Sequence, residues 1–143
     1  MSVVETVARK LGGAAVLGQE VRSRADLASI VQGRLPLAAL NGLSGAGVSS
    51  AEIERFIIPE HTRRHRAENQ QPLTVDESDR AVRLLLLQTI AEETFSDSEV
   101  AARWLRRPLG ELAGAAPLDV GQTEAGARVV ETILGKIAWG AAA

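Results

Sequence analysis

Three arginines fall within four positions, Arg63, Arg64 and Arg66, in the run Glu60-His61-Thr62-Arg63-Arg64-His65-Arg66. Carried on one helix, guanidinium groups at that density can fork onto guanine edges or clamp phosphates. Directly upstream, Ser49 to Phe56 reads as a leading helix, Ile57-Ile58-Pro59 as a turn, and Glu60 to Asn69 as the second helix of a helix-turn-helix. Glu60 and Glu68 have the wrong sign for a phosphate surface. The stretch is therefore open both to DNA contact and to a plain solvated charged helix.

His61 and His65 stand four apart, which is metal-ligand spacing on a helix, but no Glu follows His61 and no third ligand is near. A pair of surface imidazoles is the simpler reading, and no metal is expected. Ser44, Ser49 and Ser50 lack the setting of an activated nucleophile. The run Gly42 to Gly47 has neither a strand before it nor a Lys after it, so it reads as a helix end and turn rather than a phosphate cradle. Glu92-Glu93 and the Asp76/Asp79 pair suit helix surfaces and first turns. The chain has no Cys, which removes thiolate sites and disulfides and fits a reducing cytosol. No catalytic residue and no cofactor are expected, and the chain does not read as an enzyme.

Aromatic residues make up 3% of the 143 residues (Phe56, Phe95, Trp104 and Trp139), too few for the stacking platforms of single-strand nucleic-acid or sugar binders. Trp104, with Leu105, is expected in a core. Trp139 sits beside Gly140 near the chain end, open either to anchoring another protein or to packing on its own bundle. Net charge is −2, but residues 1–72 carry 9 Lys/Arg against 7 Asp/Glu and residues 73–143 carry 7 against 11. A basic front half suits a polyanion and an acidic back half suits a protein partner. The beginning of the sequence lacks a basic leader with an apolar stretch, and no run approaches a membrane span. A cytoplasmic protein without membrane contact is the expectation.

These side chains need helices to position them. Ser/Thr followed three places on by an acid marks helix starts at Ser49/Glu52, Thr74/Glu77 and Ser96/Glu99. Val75 to Phe95 reads as one long helix, apolar around most of its circumference at Leu84-Leu85-Leu86-Leu87 and so buried on several sides. That surface could be wholly internal or could serve a dimer. After Thr123, a stripe of Val129, Val130, Ile133, Leu134 and Ile137 predicts a last helix, with Glu124 and Arg128 paired outside. Gly126 and Ala127 would let it pack closely. Breaks are expected at Gly33 to Pro36, Gly42 to Gly47, Ile58-Pro59, Gln70 to Pro72, Arg107-Pro108 and Ala116-Pro117. Residues 1–22 suggest a short helix plus an extended arm, and the Ala141-Ala142-Ala143 end a mobile one. With no sustained period-two alternation, the fold class is all-α.

Several blocks in order carry a resemblance. They are Leu40-Asn41-Gly42-Leu43, then Ile57-Ile58-Pro59-Glu60-His61-Thr62-Arg63-Arg64-His65-Arg66, then Leu73-Thr74-Val75-Asp76-Glu77-Ser78-Asp79-Arg80. Ala101-Ala102-Arg103-Trp104-Leu105-Arg106-Arg107-Pro108, Leu112-Ala113-Gly114-Ala115-Ala116-Pro117-Leu118 and Thr123-Glu124-Ala125-Gly126-Ala127-Arg128-Val129-Val130 follow. From about Ser23 to Gly140 the chain resembles the bacterial Xre/MbcA/ParS-type antitoxins, partners of RES-domain toxins in type II toxin-antitoxin systems.

The resemblance implies an Xre-like helix-turn-helix module at 23–83, behind an N-terminal arm at 1–22. A long central helix joins it to a small helical toxin-binding module at 84–143. It further implies a cognate RES-domain toxin that resembles ADP-ribosyltransferases and consumes NAD. The antitoxin would block the NAD cleft with its C-terminal helix and tail, Lys136 to Ala143. Arg128, Lys136, Trp139 and Gly140 are the implied toxin-binding residues. Arg63, Arg64 and Arg66 are the implied contacts to operator DNA in autorepression, and a homodimer or a hetero-oligomer with the toxin is expected. The alternative function is a stand-alone helix-turn-helix transcription regulator. Two departures stand out: His61 replaces the Arg usual before the Thr of the second helix, and Val120-Gly121-Gln122 replaces an aliphatic stretch, which implies a looser connection there.

Overall fold

The computed structural model describes residues 1–142, with side chains to residue 140. Among the described residues the regular structure is helical, with no strand. The chain divides into two compact units, Met1–Leu85 and Leu86–Ala143, and the division falls inside one continuous helix.

The first unit contains α1 (Val3–Lys10), α2 (Gly13–Leu17), α3 (Arg24–Gln32), α4 (Ala39–Gly45), α5 (Ser50–Phe56) and α6 (Glu60–Glu68). It ends within α7 (Val75–Phe95). Its core is built from Val7, Leu11, Leu27, Leu35, Leu40, Leu43, Ile53, Ile58 and Leu73, all buried. Residues 3–17 depart from the expected helix plus extended arm, because Gly12 and Gly13 both have positive φ and turn the chain into a second short helix. Val7 and Leu11 are fully buried, and α1 packs on α3 and α4.

Helix α4 runs through the break expected at Gly42 and stops only at Gly45. Gly42 is a crossing point rather than a stop: a Cβ there would collide with the Lys10 carbonyl of α1. Without that Cβ the two backbones approach closely enough to bury Leu40 and Leu43 completely. The expected glycine-rich turn is confined to Ala46–Gly47, with Gly47 at positive φ.

Helix α7 spans Val75–Phe95 as the sequence predicts. Thr74 Oγ1 accepts the Glu77 N–H at 3.1 Å while the Glu77 carboxylate accepts the Thr74 N–H at 2.8 Å, a complete capping box. Leu84, Leu85, Leu86 and Leu87 are all buried, as expected of a stretch apolar around most of its circumference.

The second unit continues from α7 with α8 (Ser98–Arg106), a single 3-10 turn (Gly110–Leu112), α9 (Pro117–Val120) and α10 (Glu124–Ala142). Trp104 is buried as expected and meets Phe95 at a ring-centroid distance of 5.7 Å. The start of α8 departs from the expected Ser96/Glu99 box. Ser96 has φ 53°, and Asp97 is the N-cap, its side chain accepting from the N–H groups of Glu99 (2.9 Å) and Val100 (3.1 Å). The left-handed turn after α7 uses up Ser96, so the cap moves one residue on.

The connection at Val120-Gly121-Gln122 is tied rather than loose. The Gln122 side-chain amide donates to the Leu118 carbonyl at 2.8 Å and the Gly121 N–H to the Pro117 carbonyl at 2.9 Å. Gly126 then sits against the Val120 carbonyl so closely that a Cβ would collide with it, which is the close approach the sequence predicts for α10. This helix buries Ala127, Val130, Ile133 and Leu134, but Val129 is 47% exposed. At 100° per residue the buried residues of this helix centre on a direction roughly 110° from Val129, which therefore lies beyond the surface that covers them.

Candidate functional site

The first surface is built from α5 and α6. Ser49 caps α5 with a complete capping box to Glu52. The N–H groups of Ile57 and Ile58 both donate to the Ile53 carbonyl, at 2.9 and 3.0 Å, which closes the turn. Ile53, Phe56, Ile57 and Ile58 are buried, so this turn is fixed from below. From α7, the Arg80 guanidinium donates to the Ile57 carbonyl at 3.0 Å and holds the end of α5. The linker that follows α6 is fixed too. Arg34 Nε donates to the Leu73 carbonyl at 2.8 Å, and the Leu35 N–H donates to the Ser78 hydroxyl at 2.9 Å.

Helix α6 itself buries no residue. The three arginines expected as one DNA-binding set do not share a face. Arg66 turns inward, where it donates to the Glu77 carboxylate in an ion pair whose side chains are 16% and 8% exposed. Burial pushes the Glu77 carboxyl up, but the Arg66 hydrogen bond, the Thr74 hydrogen bonds and the Arg66 charge together hold it below the usual glutamate range. Arg63 is half-buried and lines a groove of about 400 Å³ between α5 and α6, with Ile53 and Ile58 at its base and Ala67 on its side. Arg64 is exposed, with Glu60 at 3.5 Å one turn back.

The outward face of α6 carries His61, Arg64, His65 and Glu68, all exposed and spaced i, i+3, i+4, i+7. The two histidines lie at the surface on either side of Arg64, as the reading of surface imidazoles in a basic helix expects. Among the described residues no group of three or more potential metal ligands comes together.

The second surface is the outer side of α10. Arg128 pairs with Glu124 at 2.9 Å, both exposed, as the i,i+4 spacing predicts. Its guanidinium is held above the ordinary arginine value by the Glu124 hydrogen bond, with the charges of Glu124 and Glu131 adding to it. Lys136, Trp139 and Gly140 are exposed, Trp139 by 78%, so its ring does not pack on the unit. The last element is helical through Ala142, so the expected tail is a continuation of α10. Ala143 and the side chains of 141 and 142 lie outside the described residues, as does the mobility expected of that end. From Gly135 on no described side chain is buried, and Ile137 is half-buried. The outer positions Ala125, Val129, Thr132, Lys136 and Trp139 follow one another at spacings of four and three along one face.

The two surfaces fall in different matched regions. Residues 26–86 match the antitoxin Xre-like helix-turn-helix domain, and residues 91–140 match the antitoxin Xre/MbcA/ParS C-terminal toxin-binding domain. Over 98 residues the chain is 42% identical to Antitoxin Xre of Pseudomonas putida, an alignment covering 68% of this chain and 62% of that protein. It is 31% identical over 124 residues to the Prs ADP-ribosylating antitoxin of Sphingobium sp., covering 70% of this chain and 78% of that protein. The chain thus spans less than two thirds of the length of the first of these relatives.

Proposed function

The chain belongs to the Xre/MbcA/ParS antitoxin family, and from that premise we propose that it neutralises a RES-domain toxin by lodging the end of α10 in the toxin's NAD cleft. The toxin-binding part is residues 84–143, and Arg128, Lys136, Trp139 and Gly140 are its contacts. The observation that carries this reading is Trp139. It is 78% exposed, on a turn of helix that buries nothing of its own, within the span matched by a toxin-binding domain. An exposed indole at a helix end costs solubility and contributes nothing to the fold, whereas Trp is among the residues that dominate binding energy when a partner covers it. A nucleotide cleft accepts a flat ring beside a small residue such as Gly140.

The name of the Sphingobium relative, which couples ADP-ribosylation with an antitoxin, supports an ADP-ribosyltransferase-like partner for this chain. The chain itself supplies no chemistry. Its effect is occupancy, so inhibition should be stoichiometric with toxin.

The test is co-expression with the product of the neighbouring gene. The account expects the two to co-elute and NAD loss to stop at a fixed molar ratio. Separate elution, or NAD loss unchanged by excess antitoxin, would contradict it.

A second activity is favoured by α6, a helix with no buried residue that carries Arg63 and Arg64 beside a fixed turn. We infer that residues 23–83 bind operator DNA, as a dimer on a palindromic site, and repress the chain's own operon. Arg63 and Arg64 then touch the DNA and Arg66 holds the helix in place. The stand-alone regulator is the same surface acting without a toxin.

A further inference from the structure

The outer face of α10 carries a pattern that its own unit does not use. Ala125, Val129, Thr132, Lys136 and Trp139 are all exposed and follow one another at steps of four and three. At 100° per residue they fall within an arc of about 80°, centred roughly 150° from the direction of the buried Ala127, Val130, Ile133 and Leu134. A stripe with this repeat, here about 21 Å long, is what one helix presents to another in a coiled coil. Val129 and Trp139 are two of the three large apolar residues exposed among those described, and both stand on it. The Thr132 hydroxyl already donates to the Arg128 carbonyl at 2.9 Å, so covering it leaves no donor unsatisfied.

Charge identifies the other helix. Along α10 the signs alternate through Glu124, Arg128, Glu131 and Lys136. Arg128 is met by Glu124 on its own helix, but Lys136 has no acid three or four residues to either side. A second α10 running antiparallel, in the register that sets Glu124 opposite Lys136, also sets Arg128 opposite Glu131. The same register lays Val129 against Thr132 and Ala125 against the apolar stem of Lys136. It brings Trp139 over the first turn of the other copy, near Gln122 and Ala125. A parallel copy in register would instead set like charges opposite one another at all four positions. Spacing and sign thus select one arrangement independently.

We propose that α10 pairs with α10 of a second copy of this chain, antiparallel about a two-fold axis near Val130. The contact is isologous, each copy giving the same stripe. A seam of this length is too small for a tight dimer, so the pair forms at micromolar concentrations and above. A copy paired in this way withholds Lys136 and Trp139, so a toxin would have to open the pair to reach them. That consequence rests on the toxin-binding reading above. The pairing itself is measured with no toxin present, so the two can fail separately.

The experiment is sedimentation equilibrium of the full chain from micromolar to submillimolar concentration, with Trp fluorescence followed on the same samples. Wild type should pass from monomer to dimer as its emission moves to shorter wavelength, because Trp139 becomes covered while Trp104 is buried throughout. Val129→Asp should move that transition to roughly tenfold higher concentration or beyond. Its melting temperature in dilute solution should match wild type, since Val129 is 47% exposed. The chain has no Cys, so introduced thiols report the orientation. Ala125→Cys/Lys136→Cys should oxidise to a covalent dimer. Ala125→Cys alone should not, because the register holds its two copies about 15 Å apart along the seam. A wild type that stays monomeric, a dimer that Val129→Asp leaves as tight, or equal cross-linking of Ala125→Cys alone would overturn the pairing.

Discussion

The Arg66 guanidinium donates to the Glu77 carboxylate, and the same carboxylate closes the capping box that starts α7. One buried acid thus fixes both the orientation of α6 and the first turn of the helix that follows it. Removing the charge with Glu77→Gln leaves Arg66 partly buried without a counter-ion and should cost about 2 kcal/mol. The first unit should unfold several degrees lower.

The pH dependence of this contact has a definite sign. The Glu77 pKa is lower in the folded protein than its ordinary value of 4.5. Its stabilisation is therefore fully present above that value and disappears as pH falls through the lower folded pKa. Thermal melts across the acid range should show wild type losing its advantage over Glu77→Gln as the carboxylate is protonated.

The arginines of α6 should separate by assay. Arg63→Ala and Arg64→Ala should weaken DNA binding on any sequence and each reduce the salt slope by about 1, with little effect on melting. Arg66→Ala should instead lower the melting temperature, because its guanidinium is engaged with Glu77. Equal behaviour of the three in both assays would contradict the division.

Gly42→Ala and Gly126→Ala each drive a methyl into a backbone carbonyl, of Lys10 and Val120 respectively. Backbone cannot move aside as a flexible side chain does, so each should destabilise its own unit by about 3 kcal/mol. Hydrogen exchange should place the Gly42→Ala loss in α1 and α4, and the Gly126→Ala loss in α9 and the start of α10.

At the start of α8, Asp97→Ala should cost about 1 kcal/mol and Ser96→Ala much less, since Asp97 holds the free N–H groups. Ser96→Gly should stabilise by up to about 1 kcal/mol, because its φ is 53°. Urea melts of the three variants check the order.

Much of the fold is legible from local patterns. The boundaries of α7, the Ser49 and Thr74 caps, the α5-turn-α6 motif and the burial of Trp104 follow from capping chemistry and apolar spacing. What escaped depends on tertiary contacts. Gly42 looks like a helix stop because nothing local reveals the Lys10 carbonyl beside it. Ser96 looks like a cap because its left-handed φ is set by how α7 ends. Arg66 looks like one more DNA contact until α7 places Glu77 against it. Val129 looks buried until the covered arc of α10 is known.

The most direct test of the proposal that the end of α10 blocks a toxin's NAD cleft removes residues 136–143 and measures NAD loss beside the product of the neighbouring gene. The buried part of α10 ends at Leu134, so the truncated protein should keep its melting temperature and helical signal. It should nonetheless fail to stop NAD loss, and Trp139→Ala in the full chain should weaken inhibition by about 30-fold. A truncated protein that still inhibits the toxin mole for mole would contradict the account.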